Sequence, residues 1–154
     1  MEHSAIPVLI SLQSSAPAEG EAPEVISLIT TGDLQKTDNG YLLGYEETLD
    51  DDSLVSTRVE LLLEKDEATR KDVVTMQRTG EYDVNMVFRK GQRYEGQYHT
   101  PFGDFDLALF CTKVGYRVDD VGGELHLQYQ LDMNGQYVAM HTLELQFCVK
   151  ENYA

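Results

Sequence analysis

Apolar residues recur at every second position along most of this chain. Ile6, Val8, Ile10 and Leu12 set the first such run, and period-two alternation turns one face of a strand to a core and the other to water. The next apolar stretch, Val25 to Leu34, meets Asp38-Asn39-Gly40, a hairpin signal because Asn and Gly accept positive φ. Tyr41, Leu43 and Tyr45 then resume the alternation. Val55, Thr57, Val59, Leu61 and Leu63 form the next run, Lys65 to Arg70 a polar turn, and Val73 to Thr79 a further strand. Tyr82, Val84, Met86 and Phe88 share one phase up to Lys90-Gly91, and Tyr94, Gly96 and Tyr98 share one beyond it, which predicts that these two strands pair with each other. Thr100-Pro101-Phe102-Gly103 reads as a turn, with Pro presetting φ and Gly suiting the last position. Phe105, Leu107, Leu109 and Cys111 run inward, and Gly115 and Gly122-Gly123 mark further breaks. Leu125, Leu127, Tyr129 and Leu131 alternate up to Asn134-Gly135, and the last strand carries Tyr137, Ala139, His141, Leu143, Leu145 and Phe147 inward.

This pattern predicts roughly eight to ten strands and no amphipathic helix, so the fold class is all-β. A string of adjacent antiparallel hairpins makes an up-and-down barrel or a sandwich, and closure into a single barrel is favoured because it removes strand edges that invite aggregation. At around eight strands a barrel interior either fills with side chains or holds one small ligand. The 154 residues read as one domain. Residues 1–13 supply the first strand, 14–23 a flexible loop rich in Ser, Ala, Pro and Glu, 24–149 the remaining barrel and 150–154 a tail.

Composition narrows the function classes. Hydrophobic residues at 42% and charged residues at 25% are ordinary for a globular chain. Twelve Lys and Arg against 27 Asp and Glu leave a net charge of −15, which opposes phosphate backbones and anionic membranes. Glu2 stands where a signal peptide would be basic, and Ile6 to Ile10 is too short for a signal core or a span. Cys111 and Cys148 form no CxxC pair and read as reduced thiols in a cytoplasmic protein; a disulfide or a reactive thiol is the alternative.

Several segments taken together carry a family likeness. Tyr41 to Thr48, Asn85 to Gly91, Tyr98 to Gly103, and Gly123-Glu124-Leu125 through Asn134-Gly135 resemble, in the same order over about residues 24 to 147, the YwiB-like family of small bacterial proteins. The resemblance implies a calycin-like (lipocalin-like) β-barrel, a cytoplasmic bacterial protein and a domain of unknown function. It implies no catalytic residues. The Ser14 to Pro23 insert and His99 before the Thr-Pro turn depart from it.

Candidate chemistry is sparse. There is no Gly-x-Ser-x-Gly elbow, phosphate-cradling Gly-rich loop or His-Glu-x-x-His frame, so no catalytic residue, cofactor or metal is expected. Glu46, Glu47, Asp50, Asp51 and Asp52 crowd one connection, but without the spacing of a calcium loop they read as a solvated turn. Of the histidines, His3 lies in the tail, His99 and His126 fall on polar phases, and His141 alone shares an apolar phase, as a satisfied core residue or a ligand contact. Seven tyrosines, Tyr41, Tyr45, Tyr82, Tyr94, Tyr98, Tyr129 and Tyr137, fall on inward phases. They either fill the interior or line a cavity with convergent phenols.

Glu47 shares the phase of Tyr45, whereas Arg78 lies in a strand of ambiguous phase. Were both inward they would pair, since an unpaired buried charge is costly; a surface position for at least one is the plainer expectation. The leading functional expectation is a non-enzymatic barrel taking a small neutral or amphipathic ligand, with Tyr45, Glu47, Arg78, Tyr98, Tyr129 and His141 as candidate contacts. The alternative is a packed barrel acting through its outside as a homodimer or partner-binding module, by way of outward Leu42, Leu62, Val138 and Met140. An enzyme built on His141 or His99 is the remote third.

Overall fold

Where polar and apolar residues alternate, the backbone is strand. The computed structural model describes residues 5–16, 25–48 and 56–150, and these hold ten strands and no helix. In chain order they are β1 (Ile6–Ser15), β2 (Val25–Lys36), β3 (Gly40–Thr48), β4 (Ser56–Lys65), β5 (Asp72–Thr79), β6 (Val84–Arg89), β7 (Arg93–Thr100), β8 (Gly103–Val118), β9 (Gly122–Met133) and β10 (Gln136–Val149). No described helix is long and apolar enough to cross a membrane.

All ladders are antiparallel, and the order around the sheet is β6-β5-β4-β3-β2-β1-β10-β9-β8-β7. Each strand pairs with its sequence neighbour, as an up-and-down barrel requires, with two exceptions. The first and last strands pair with each other, from Val8↔Val149 to Ser15↔Thr142. The consecutive strands β6 and β7 form no ladder, contrary to the hairpin expected from their shared phase. Gly91 N–H donates to the Cys111 carbonyl and Cys111 N–H to the Gln92 carbonyl, which commits the start of β7 to β8. The backbones of the two walls join again at the Asp83↔His99 bridge, through reciprocal hydrogen bonds of 2.9 Å, and Asn85 Nδ2 donates across the gap to the Tyr94 hydroxyl at 3.3 Å. The barrel is therefore nearly closed, with a seam between β6 and β7.

The inward phase is the expected one along most strands. Val8, Ile10, Leu43, Val59, Leu61, Leu63, Val74, Phe88, Leu109, Leu125, Leu127 and Leu145 are buried in a single cluster. Two bulges reset it. On β8, Cys111 pairs with Tyr129 and Lys113 with Gln128, so Thr112 is an extra residue whose hydroxyl donates to Gln128. The inward phase passes there from Cys111 to Val114, Tyr116 and Val118, and Gly115 lies inside β8 rather than at a break. On β10, Tyr137 pairs with Asp132 and Ala139 with Leu131, leaving Val138 as the extra residue. Tyr137 thus shares the phase of Asp132 and is 53% exposed, not inward as its spacing from Ala139 suggests.

The turns follow their residues. Asn134 (φ 50°) and Gly135 (φ 80°) join β9 to β10 in the left-handed conformation that a two-residue hairpin needs. Ser14 and Ser15, expected in a loop, belong to β1 and pair with β2 and β10. Residues 17–23 of that loop, most of the acidic connection after Thr48, Val55 and His3 in the tail lie outside the described residues.

Candidate functional site

β2 serves two neighbours in succession. Its first part pairs only with β1, from Val25↔Ser15 onward, and only Gly32 to Lys36 also pair with β3. Beyond Tyr45, β3 continues with β4 alone. Gly32 sits where β2 and β3 converge: a Cβ there would meet the Gly44 carbonyl oxygen and, at 2.7 Å, Ile10 Cδ1. Where the strands part, the interior opens into a cavity of about 520 Å³.

Its charged and ring-bearing polar groups come from five strands. Tyr45 on β3 is opposite Val59 on β4, which is opposite Arg78 on β5, so the three share one row across the sheet. Val59 is short, and neighbouring strands lie roughly 4.8 Å apart, so the long Arg78 side chain reaches past it to the next inward residue on β3, Glu47. Arg78 Nη1 donates to Glu47 Oε1 at 3.1 Å, with the side chains 27% and 21% exposed. Both charges therefore face inward, which corrects the expectation that at least one would sit on the surface. The ambiguous phase of β5 is resolved by Arg78 sharing the inward set of Val74 and Met76.

On the opposite wall, Tyr129 of β9 and His141 of β10 are direct cross-strand partners. Their rings stack with centroids 5.2 Å apart and planes within 7°. Phe88 of β6 tilts against the same Tyr129 ring at 4.9 Å. Tyr98 of β7 completes the set and packs edge-on against Tyr82 at 6.1 Å. All six candidate contacts, Tyr45, Glu47, Arg78, Tyr98, Tyr129 and His141, line this one cavity. Leu12, Met76, Met86, Leu107, Leu131 and Leu143 make up much of the apolar wall.

Burial sets the protonation of these groups. It pushes the Tyr45 phenol up to about 12, with the Arg78 charge pulling the other way. Tyr129 is likewise raised to about 12 by burial, again opposed by Arg78, and Tyr98 is raised for the same reason. All three phenols line the cavity with Arg78 and remain neutral hydroxyls able to donate or accept. Burial by itself would lower the Arg78 guanidinium, but the Glu47 charge outweighs it with help from the phenols and the Glu47 hydrogen bond, so its pKa is raised. Burial lowers the His141 imidazole below its ordinary 6.5, so it is neutral at pH 7.

Other groups fall outside the cavity. His99 Nδ1 lies 2.9 Å from Asp104 Oδ1, but both side chains are more than half exposed. His141 has no hydrogen bond or ion pair to a carboxylate among the described residues. Cys111 and Cys148 are free thiols. Burial pushes Cys111 up to about 11, which makes it a poor nucleophile. Among the described residues no group of three or more His, Cys, Asp or Glu is placed to hold a metal. Of the four residues expected to form an outward patch, Leu42 and Leu62 pair across β3 and β4, while Val138 and Met140 lie on β10 beyond β2 and β1.

The cavity also takes Ser14, Ile26, Ser27 and Leu28, which sequence reasoning did not single out. Ser14 continues the phase of Val8, Ile10 and Leu12 but stands where the composition turns loop-like, and Ile26, Ser27 and Leu28 lie where β2 has parted from β3. Met76 was within reach, since it precedes Arg78 on the same phase.

A family model described as a domain of unknown function, DUF1934, matches residues 10–145. A search of curated proteins found no match. Among solved structures, the crystal structure of ywiB protein from Bacillus subtilis aligns with a TM-score of 0.78 at 21% sequence identity, covering 97% of this chain and 96% of that one. At that identity the likeness speaks for the fold.

Proposed function

From the footing that the chain belongs to the DUF1934 family, a YwiB-like family of unknown function, we propose that it is a non-enzymatic barrel that takes a small amphipathic molecule into its interior. The observation that carries this is the cavity of about 520 Å³ in which an apolar wall meets a few convergent polar groups, the usual make-up of a small-molecule site. A packed barrel would have filled this space with side chains. The non-enzymatic reading is supported by the neutral His141, which lacks a described carboxylate partner, and by the position of the His99–Asp104 pair on the outside. We place the protein in the bacterial cytoplasm, a reading supported by its free thiols.

Titration with Nile red, an uncharged solvatochromic dye, tests the proposal. Saturable, one-to-one emission enhancement with a blue shift is expected. Ser14→Trp, which places an indole on the cavity wall at a half-buried position, should abolish the enhancement while leaving the far-ultraviolet circular dichroism unchanged. No saturable enhancement in the wild type, or equal enhancement in the folded variant, would overturn it.

A further inference from the structure

The cavity lining carries one cation, Arg78, and one anion, Glu47, already joined at 3.1 Å. The pair satisfies the charge balance but not the hydrogen-bonding capacity of either partner. Arg78 spends one N–H on Glu47 and makes no other hydrogen bond to a described residue, so guanidinium donors remain for a ligand. Glu47 receives that bond on Oε1, and Oε2 accepts none from a described donor. A donor set and an acceptor therefore stand side by side on one wall, in a cavity that Tyr98 and Tyr129 also line.

Charge decides what can be placed against such a pair. An anionic head would gain Arg78 but lie against Glu47, and a cationic head would gain Glu47 but lie against Arg78. Either brings an unbalanced charge into a partly desolvated space, where an unpaired charge is costly. The net charge of −15 opposes an anion further. A neutral head leaves the balance untouched and can still use both partners.

We infer that the ligand is an uncharged amphipath whose head offers a hydrogen-bond acceptor and an N–H donor side by side, as a primary carboxamide or a lactam does, the acceptor on Arg78 and the donor on Glu47. This rests on the binding reading above and names its ligand class. The apolar body would lie along Met76, Met86, Leu107 and Leu131, where flexible methionines accommodate varied shapes.

Three probes of equal chain length separate the cases: octanamide, octanoate and octylammonium, each displacing Nile red at neutral pH. Octanamide should compete at least about tenfold more tightly than either charged analogue, a difference of about 1.4 kcal/mol. Octanoate or octylammonium competing as well as octanamide overturns the ligand class. In Glu47→Gln, Arg78 loses its counter-charge, so octanoate should gain at least about tenfold relative to octanamide. An octanoate-to-octanamide ratio unchanged from the wild type in that variant also overturns the inference, because the head would then not be at the pair. If the variant does not fold, the wild-type ranking decides alone. Dye that never enters the wild type removes the binding reading and the ligand class together; dye that enters and is displaced best by a charged analogue removes the ligand class only.

Discussion

His141 is held neutral by burial against the Tyr129 ring, and its protonation state is a stability statement. Its pKa in the folded chain is lowered below 6.5, so the unfolded chain takes up this proton first as pH falls. Stability then rises with pH through the window: its contribution is complete above about 6.5 and is lost as pH falls from there to the folded-state value. His141→Gln should remove this slope. Urea midpoints of the wild type relative to the variant should fall between about pH 7.5 and about pH 5.5, and parallel pH profiles would show that the imidazole is not buried. The Arg78–Glu47 pair makes a second prediction at this scale. Glu47→Leu strands a guanidinium and should cost about 1–3 kcal/mol in urea denaturation, less than a fully buried pair because both side chains keep some water. Adding Arg78→Met should recover most of it, and a Glu47→Leu protein as stable as the wild type would sink the idea. These six wall residues were legible from their strand phases, except for Arg78. Val73 and Val74 offered two equal phases for its strand, and only the register of β4 against β5 chooses between them.

Among the elements, strand existence and phase were readable because one face of each strand meets a core, and that face repeats every two residues. The bulges at Thr112 and Val138 were not, because an extra residue shifts the phase without changing composition. Tyr137 is misplaced for that reason, and Gly115 because a glycine reads as a break although here it pairs with His126 inside β8. The β6–β7 pairing was misread on a different ground: Lys90-Gly91 does turn the chain, but its hydrogen bonds go to Cys111 on β8. Two glycines test the β2–β3 convergence and the continuity of β8. Gly32→Ala would drive a Cβ into the Gly44 carbonyl and Ile10 at the β2–β3 convergence and should cost about 1–3 kcal/mol. Gly115→Ala meets nothing closer than Asp72 Oδ2 at 3.9 Å and lies in continuous strand, so it should be neutral or stabilise by about 0.4–1 kcal/mol. Urea denaturation of both variants checks the pair, and equal destabilisation would refute this account of β2, β3 and β8.

The whole molecule holds its shape through a closure that sequence adjacency does not supply. β1 bonds to β2 on one side and to β10 on the other, while the seam between β6 and β7 is crossed by a single backbone bridge. The acidic excess is not built into the cavity wall, which pairs its one carboxylate with its one guanidinium. At the β1–β10 end, Lys150 N–H donates to the Pro7 carbonyl at 3.1 Å, so residues 5 and 150 can be joined by a short Gly/Ser linker. A chain so joined and opened between Lys90 and Gly91 would run β7-β8-β9-β10-β1-β2-β3-β4-β5-β6, an unbroken meander that keeps every ladder. It should fold with wild-type circular dichroism and retain Nile red binding, because the opening falls where no ladder crosses. Deleting residues 5–16 removes two ladders at once and exposes the edges of β2 and β10, which should bring aggregation and loss of a cooperative urea transition. A deletion protein that stays monomeric and still binds dye would mean that the β1–β10 junction is not what closes the barrel, and that the cavity is walled by the remaining strands on their own.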